Sequence, residues 1–177
     1  MIRYAITDPK YYSLRYLQNL HNRADFVLFR DKKSKEYSKL AKEFIDSTKE
    51  FSYKKIIHGN YMLAKELNSN GVHLTSTQFN DIKKAKELEL FTIISTHSLK
   101  EIKRAKELGA DAITFSPIFD TPNKGKAKGI KALEEAIRCC QIKIIALGGI
   151  ITNEHIKKIE STKVWGFASI RYFLNSN

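Results

Sequence analysis

Along this chain the spacing of apolar residues switches repeatedly between a period near two and a period near 3.6. Short runs rich in β-branched and aromatic residues read as eight strands: Ile2–Thr7, Phe26–Arg30, Lys55–His58, Gly71–Thr75, Phe91–Thr96, Ala112–Ser116, Lys143–Gly148 and Trp165–Ser169. Between them the pattern is helical. The segment Tyr37–Lys49 puts Leu40, Phe44 and Ile45 on one face. Leu99–Leu108 repeats Leu99, Ile102, Ala105 and Leu108, with Ser98 as N-cap and Gly109 just beyond its end. Asn80 or Asp81 is expected to cap the helix running to Leu88, and Asn153 the one carrying Ile156 and Ile159. A single short helix separates the third and fourth strands.

Strands alternating with helices build βα units on a parallel sheet. The expected fold is α/β: a compact (β/α)8 TIM barrel, one domain over residues 1–177. An open doubly wound sheet competes, but no glycine-rich fingerprint follows the first strand, which favours the barrel. At about 22 residues per unit, several helices can have only two or three turns.

Composition narrows the class. With 42% hydrophobic residues in 177, the chain can bury a core without disulfides or metals. Cys139 and Cys140 are neighbours in a predicted helix, about 100° apart, so they are expected to be a buried or half-buried structural pair rather than a bridge. No run reaches a membrane span and MIRYAITDPK lacks an apolar signal core, so the expectation is a cytoplasmic protein with no membrane partner. The net charge of +12 raises nucleic-acid binding. Its lysines are scattered over helical faces without an aromatic-interleaved basic stripe, so no nucleic-acid partner is expected. A diffuse positive field steers small anions instead. A homodimer is left open.

The strand C-termini are where such barrels place their chemistry, often with a phosphate site after strands seven and eight. Gly148 and Gly149 end strand seven, where backbone N–H groups can approach an anion closely, and Ser169 ends strand eight before a short helical turn. The longest loop, Phe119–Gly129, carries Thr121, Asn123 and Lys124 in the manner of an anion clamp. Arg30 and Lys32 share one side of an extended segment, with Asp31 turned away. Two cations at a strand end suit a diphosphate, or a phosphate plus a carboxylate. Histidines fall at three strand ends, His58, His73 and His97, as candidates for a base or donor. No carboxylate supports them, so no metal ligand is assigned.

Several segments are similar to those of one known superfamily. They are Gly71-Val72-His73-Leu74, Ser95-Thr96-His97-Ser98-Leu99-Lys100-Glu101, Leu108-Gly109-Ala110-Asp111-Ala112, Ser116 through Lys124, and Ala146-Leu147-Gly148-Gly149-Ile150. In order and spacing this set resembles the thiamine phosphate synthase and thiazole tautomerase (TenI-type) superfamily, most specifically over residues 91–150. The resemblance implies a compact (β/α)8 barrel. It also implies a reaction in which a hydroxymethylpyrimidine diphosphate joins a hydroxyethylthiazole phosphate and releases pyrophosphate, with Mg2+ on the leaving group. By position it makes Arg30 and Lys32 diphosphate ligands and Ser95 a diphosphate contact. His73 lines the pyrimidine pocket, Thr121, Asn123 and Lys124 match a Thr-x-Thr-Lys loop, and Gly149 and Ser169 hold the thiazole phosphate.

Departures from that pattern redirect the expectation. Where the synthase has Asn-Asp after strand three this chain has His58-Gly59, and where it has Gly-Gln-x-Asp after strand four it has Thr75-Ser76-Thr77-Gln78. Both magnesium carboxylates are missing, and a hard cation loses its oxygen ligands. Asp31, Asp81 and Asp120 are the available substitutes. The tautomerase branch needs a base and no metal, yet its histidine after strand six is Pro117 here. The expectation is therefore a TenI-like, Mg-independent protein acting on a phosphorylated thiazole, with His58 and Lys124 as catalytic residues and no certain cofactor. The alternatives are a synthase using Mg2+ through unusual ligands and pyrimidine diphosphate as co-substrate, or a non-catalytic binder of thiazole or thiamine phosphate.

Overall fold

A computed structural model describes residues 1–174. The expected domain range extends to residues 175–177, which lie outside the described residues. Eight parallel strands close into a barrel in chain order: β1 (Ile2–Ile6), β2 (Phe26–Phe29), β3 (Lys54–His58), β4 (Gly71–Leu74), β5 (Phe91–Thr96), β6 (Ala112–Phe115), β7 (Lys143–Leu147) and β8 (Gly166–Ser169). Closure is made by β8 against β1, with Tyr4 opposite Ala168. Each predicted run is a strand. Thr7, Arg30, Thr75, Ser116 and Gly148, expected as last strand residues, already belong to the loops.

Among the described residues seven helices wrap the barrel: α1 (Leu14–Asn19), α2 (Tyr37–Ser47), α3 (Tyr61–Glu66), α4 (Asp81–Glu87), α5 (Leu99–Glu107), α6 (Gly129–Cys140) and α7 (Asn153–Glu160); a 3-10 turn, Arg171–Leu174, follows β8. Ser13, Asn60, Ser98 and Thr152 cap four of them, each side-chain oxygen accepting a backbone N–H. The expected caps at Asn153 and Asn80 need correction. Thr152, with extended backbone, caps α7, while Asn153 is its first helical residue and accepts the Tyr172 hydroxyl at 2.9 Å. Asn80 precedes α4 with helical backbone angles and makes no capping bond. The two cysteines are free as expected, but Cys139 is exposed and Cys140 alone is buried.

The period-two alternation of the strands sorts their side chains into two layers. Tyr4, Ile6, Phe26, Leu28, Ile56, Ile93, Ala112, Ile145 and Ala168 fill the barrel. Val27, Phe29, Ile57, Val72 and Ile94 face outward onto helix residues such as Leu17, Phe44, Ile82 and Ile102. Phe44, fully buried and stacked on Phe29, illustrates this outer layer; truncation to Ala there costs about 3–5 kcal/mol. The same alternation decides what tops the inner layer. Two residues beyond Leu28, Ile56, Gly71 and Ile93 stand Arg30, His58, His73 and Ser95. An apolar plug thus ends in a polar ceiling.

Candidate active site

A cavity of about 530 Å³ opens at that ceiling, at the C-terminal mouth of the barrel. Arg30, Lys32, His58, His73, Ser95, Thr121, Lys124, Gly148, Gly149 and Ser169 all line it. Asn123 does not: it is exposed, with φ of 61° at the tip of the β6 loop. Asp8, Lys10 and Tyr11 on the loop after β1, and Arg171 after β8, line the cavity without having been singled out from sequence. The signal was there in Thr7-Asp8-Pro9, a turn directly after a strand C-terminus.

The β2–β3 corner is built from charge. Thr7 Oγ1 accepts the Arg30 N–H at 2.9 Å, tying the start of the loop to β1. Asp31 turns away, its carboxylate accepting the N–H groups of Lys33 and Ser34 at 2.8 and 3.0 Å. Burial, then the nearby Arg30 and Lys124 charges, push the Lys32 ammonium below its usual pKa, so three cations converge here. The Tyr37 hydroxyl pins the strand ends, lying 3.1 Å from the carbonyls of Phe29 and His58 and 3.0 Å from the His58 N–H. Burial first, and Arg30 and Lys32 second, hold His58 down to a pKa of about 4. The ring is therefore neutral at pH 7, with a free lone pair.

Beneath it, His73 is inside the barrel, its ring edge-to-face with His58 at 6.4 Å. Its Nδ1 lies 3.1 Å from the Tyr4 hydroxyl and its Nε2 3.1 Å from Ser95 Oγ. Burial, then His58 and Arg30, lower its pKa to about 3. His97 stands at the rim, where its Nδ1 faces the Ser116 carbonyl at 3.1 Å.

The β7–β8 corner is built from backbone. A Cβ on Gly148 would meet Pro117 Cα at 2.7 Å, and one on Gly149 would meet the Asp120 carbonyl at 2.6 Å and Phe119 Cβ at 2.7 Å. Both have left-handed φ, +98° and +69°. The sequence pattern pointed to glycines for approach to an anion; here they also let the β6 loop close onto β7. The Ile118 and Phe119 N–H groups donate to the Leu147 and Gly148 carbonyls at 2.9 and 3.0 Å. Ser169 Oγ donates to the Ile150 carbonyl at 2.7 Å and accepts the Tyr172 N–H at 3.1 Å. Its single hydrogen is spent on the fold. At the loop, Thr121 donates to the Phe119 carbonyl at 2.9 Å, and Lys124 reaches the cavity.

The donor set does not fit Mg2+. Among the described residues Asp8 supplies the lining's one carboxylate, and its Oδ1 accepts the Lys10 N–H at 3.0 Å. Asp31, Asp81 and Asp120, the sequence's substitutes, lie outside the lining; Asp81 takes Gln78 and Lys84 as partners. Among the described residues no group of three or more His, Cys, Asp or Glu is arranged around a common point. A hard divalent ion wants several oxygen ligands, and the β2–β3 corner of this cavity holds His58, Arg30 and Lys32 instead.

A closed barrel with an open cavity at its C-terminal mouth has its cavity where TIM barrels carry their sites. The family model described as thiamine monophosphate synthase matches residues 3–173, and the chain belongs to that family. It is 36% identical over 180 residues, 97% of this chain and 96% of the other, to the "Putative thiamine-phosphate synthase 2" of Aquifex aeolicus. It is 30% identical to the "Thiamine-phosphate synthase 1" of the same organism, over 84% of this chain and 74% of that one. The solved structure of a thiamine phosphate pyrophosphorylase from Pyrococcus furiosus superposes with a TM-score of 0.83 at 24% identity, covering 96% of this chain and 85% of that one, which shows the shared fold. Among the described residues no helix is long and apolar enough to cross a membrane.

Proposed function

We propose that this protein is a metal-independent enzyme of thiamine biosynthesis that moves a proton on a thiazole carboxylate phosphate, with His58 as the base. One observation carries the reading: at the β2–β3 corner a neutral histidine, flanked by Arg30 and Lys32, lines a cavity whose single carboxylate among the described residues is Asp8. Moving a proton between carbons needs a base whose lone pair is free at pH 7 and a fixed anion to orient the ring. His58 meets the first requirement, because burial and two cations keep it unprotonated. Substrate binding sharpens it. An anion on Arg30 and Lys32 screens the charges that depress His58, so its basicity rises once substrate is in place. Lys124, carried by the β6 loop, offers an ammonium to charge that develops as the proton leaves.

A second reading is favoured by the convergence of Arg30, Lys32 and Lys124. Three cations suit a diphosphate leaving group, and the relatives' names are those of synthases. In that case the cations take up the charge of departing pyrophosphate. One experiment decides. The protein is offered the thiazole carboxylate phosphate alone, then thiazole phosphate with pyrimidine diphosphate, each with Mg2+ or with EDTA. Isomerisation that survives EDTA and is lost in His58→Asn supports the first reading. Thiamine phosphate formed only with Mg2+ overturns it. Binding without turnover of either set makes the protein a binder.

A further inference from the structure

The mechanism leaves one buried chain of polar groups unused. Tyr4 is completely buried in the barrel, stacked on His73 at 5.8 Å and edge-on to Phe26 at 5.9 Å. Its hydroxyl has one hydrogen-bond partner among the described residues, His73 Nδ1. The opposite ring nitrogen contacts Ser95 Oγ, and Ser95 lines the cavity.

Two proton arrangements satisfy these distances. In one, Tyr4 O–H donates to Nδ1, Nε2–H donates to Ser95, and the Ser95 hydrogen is left over. In the other, Ser95 donates to Nε2, Nδ1–H donates to Tyr4, and the Tyr4 hydrogen is left over. A neutral imidazole has one donor and one acceptor nitrogen, so no third arrangement keeps both bonds. The two differ in where the spare hydrogen falls. In the second it sits on a phenol sealed in the apolar barrel, where an unmade hydrogen bond costs about 1–3 kcal/mol. In the first it sits on a hydroxyl facing the cavity, where water or ligand accepts it.

We infer that the chain Tyr4–His73–Ser95 is a one-way relay that fixes Ser95 as a hydrogen-bond donor to an anionic oxygen, phosphoryl or carboxylate, in the cavity. Tyr4 and His73 are positioning residues for Ser95. Protonation does not scramble the relay near neutrality, since His73 is neutral down to about pH 3 and the Tyr4 phenol is held above its ordinary pKa by burial. The consequence is selectivity: Ser95 favours a ligand group that only accepts over one that only donates. The inference rests on the cavity being an anion site, as proposed above, and not on which reaction follows.

The test needs no substrate. In protein carrying 15N-labelled histidine, long-range nitrogen–proton NMR at pH 7 is expected to show His73 with Nε2 protonated and Nδ1 bare. A protonated Nδ1 in the unaltered protein overturns the relay, and this measurement stands even if a variant fails to fold. Inorganic pyrophosphate binding by calorimetry is the second readout. Ser95→Ala should weaken it about tenfold and Tyr4→Phe about three- to fivefold, with the double variant no weaker than Ser95→Ala, because the two act through one hydroxyl. Tyr4→Phe should also release His73 into a mixture of tautomers. Additive losses, or an unchanged tautomer in Tyr4→Phe, sink the proposal. Absence of pyrophosphate binding by the unaltered protein overturns it too, by removing the anion. Pyrophosphate binding without isomerisation overturns only the proposed reaction.

Discussion

The two rims of the cavity are built from different materials. At the β2–β3 corner, Arg30, Lys32 and His58 bring charge and a lone pair on side chains that rise from strand ends. At the β7–β8 corner, Gly148 and Gly149 contribute no side chain at all, and the Ser169 hydroxyl is consumed by Ile150 and Tyr172. The first corner is chemistry placed on a finished barrel. The second is part of what finishes the barrel, because the β6 loop docks on the space that the missing Cβ atoms leave. Substitutions in the first should change ligand handling and spare the fold, while substitutions in the second should damage both.

The widest separation is expected from Gly149→Val. The new side chain would need a left-handed backbone at φ of +69° and would drive Cβ into the Asp120 carbonyl and Phe119. Phe119 cannot retreat freely, since its ring stacks on His155 of α7 at 4.3 Å. Left-handed strain and overpacking together should lower stability by about 2–4 kcal/mol in urea unfolding. A loss under about 1 kcal/mol would mean that the loop yields, and that the glycines serve the ligand alone.

Arg30→Met is the converse. Its N–H bond to Thr7 is a backbone contact and survives, so urea stability should move by no more than about 0.5 kcal/mol. Pyrophosphate affinity should fall by about 10–100-fold, the worth of a charge-assisted contact. One of the cations depressing His58 is then gone, so its pKa should rise from about 4 toward the ordinary imidazole value in an NMR titration. Unchanged affinity would erase the contrast between the corners.

The same contrast governs how much of the molecule the sequence disclosed. All eight strands were legible, because inward and outward residues alternate too regularly for any other element. His58 and His73 were legible as histidines at strand ends, and Ser95 only through the resemblance; the structure adds that all three stand two positions beyond interior or axis-facing strand residues. The β1 loop was not legible. Asp8, Lys10 and Tyr11 reach the cavity through the path of a turn rather than through strand period, and periodicity carries no information about a loop's course. Asn123 failed for the opposite reason: its position matched a motif, but the loop tip carries it into solvent. The docking of the β6 loop on Gly148 and Gly149 was hidden as well. Which atoms approach a glycine from a loop some thirty residues earlier is a tertiary fact.

Acid tests the charged corner and its floor together. An unfolded histidine takes up a proton near pH 6.5, whereas His58 and His73 in the folded chain wait until about 4 and about 3. Across that window the unfolded state binds more protons, so stability rises with pH, is complete above about 6.5, and is lost as pH falls. Each histidine contributes a slope of up to about 1.4 kcal/mol per pH unit between pH 6 and 4. His58→Asn should remove its share of that slope, read as urea midpoints at several pH values. An unaltered slope would show that His58 titrates normally in the folded protein, and its fitness as a neutral base would go with it.

The smallest effect belongs to the β6 loop tip, where neighbours should part ways. Asn123 has left-handed φ of 61°, is exposed, and lies outside the cavity, whereas Lys124 lines the cavity and lies close enough to depress Lys32. Glycine adopts the Asn123 backbone without strain, so Asn123→Gly removes only the amide. Pyrophosphate affinity should change less than about twofold and stability by less than about 0.5 kcal/mol. Lys124→Met, one residue on, should weaken pyrophosphate binding about fivefold, as fits one flexible, partly solvated cation. The order of the two matters more than either value. If Asn123→Gly were the more damaging, the tip would have to fold inward over the anion, and the loop would then act through its backbone like the β7–β8 corner. If Lys124→Met is the more damaging, the loop belongs with Arg30 and Lys32, and its contribution to the cavity is charge.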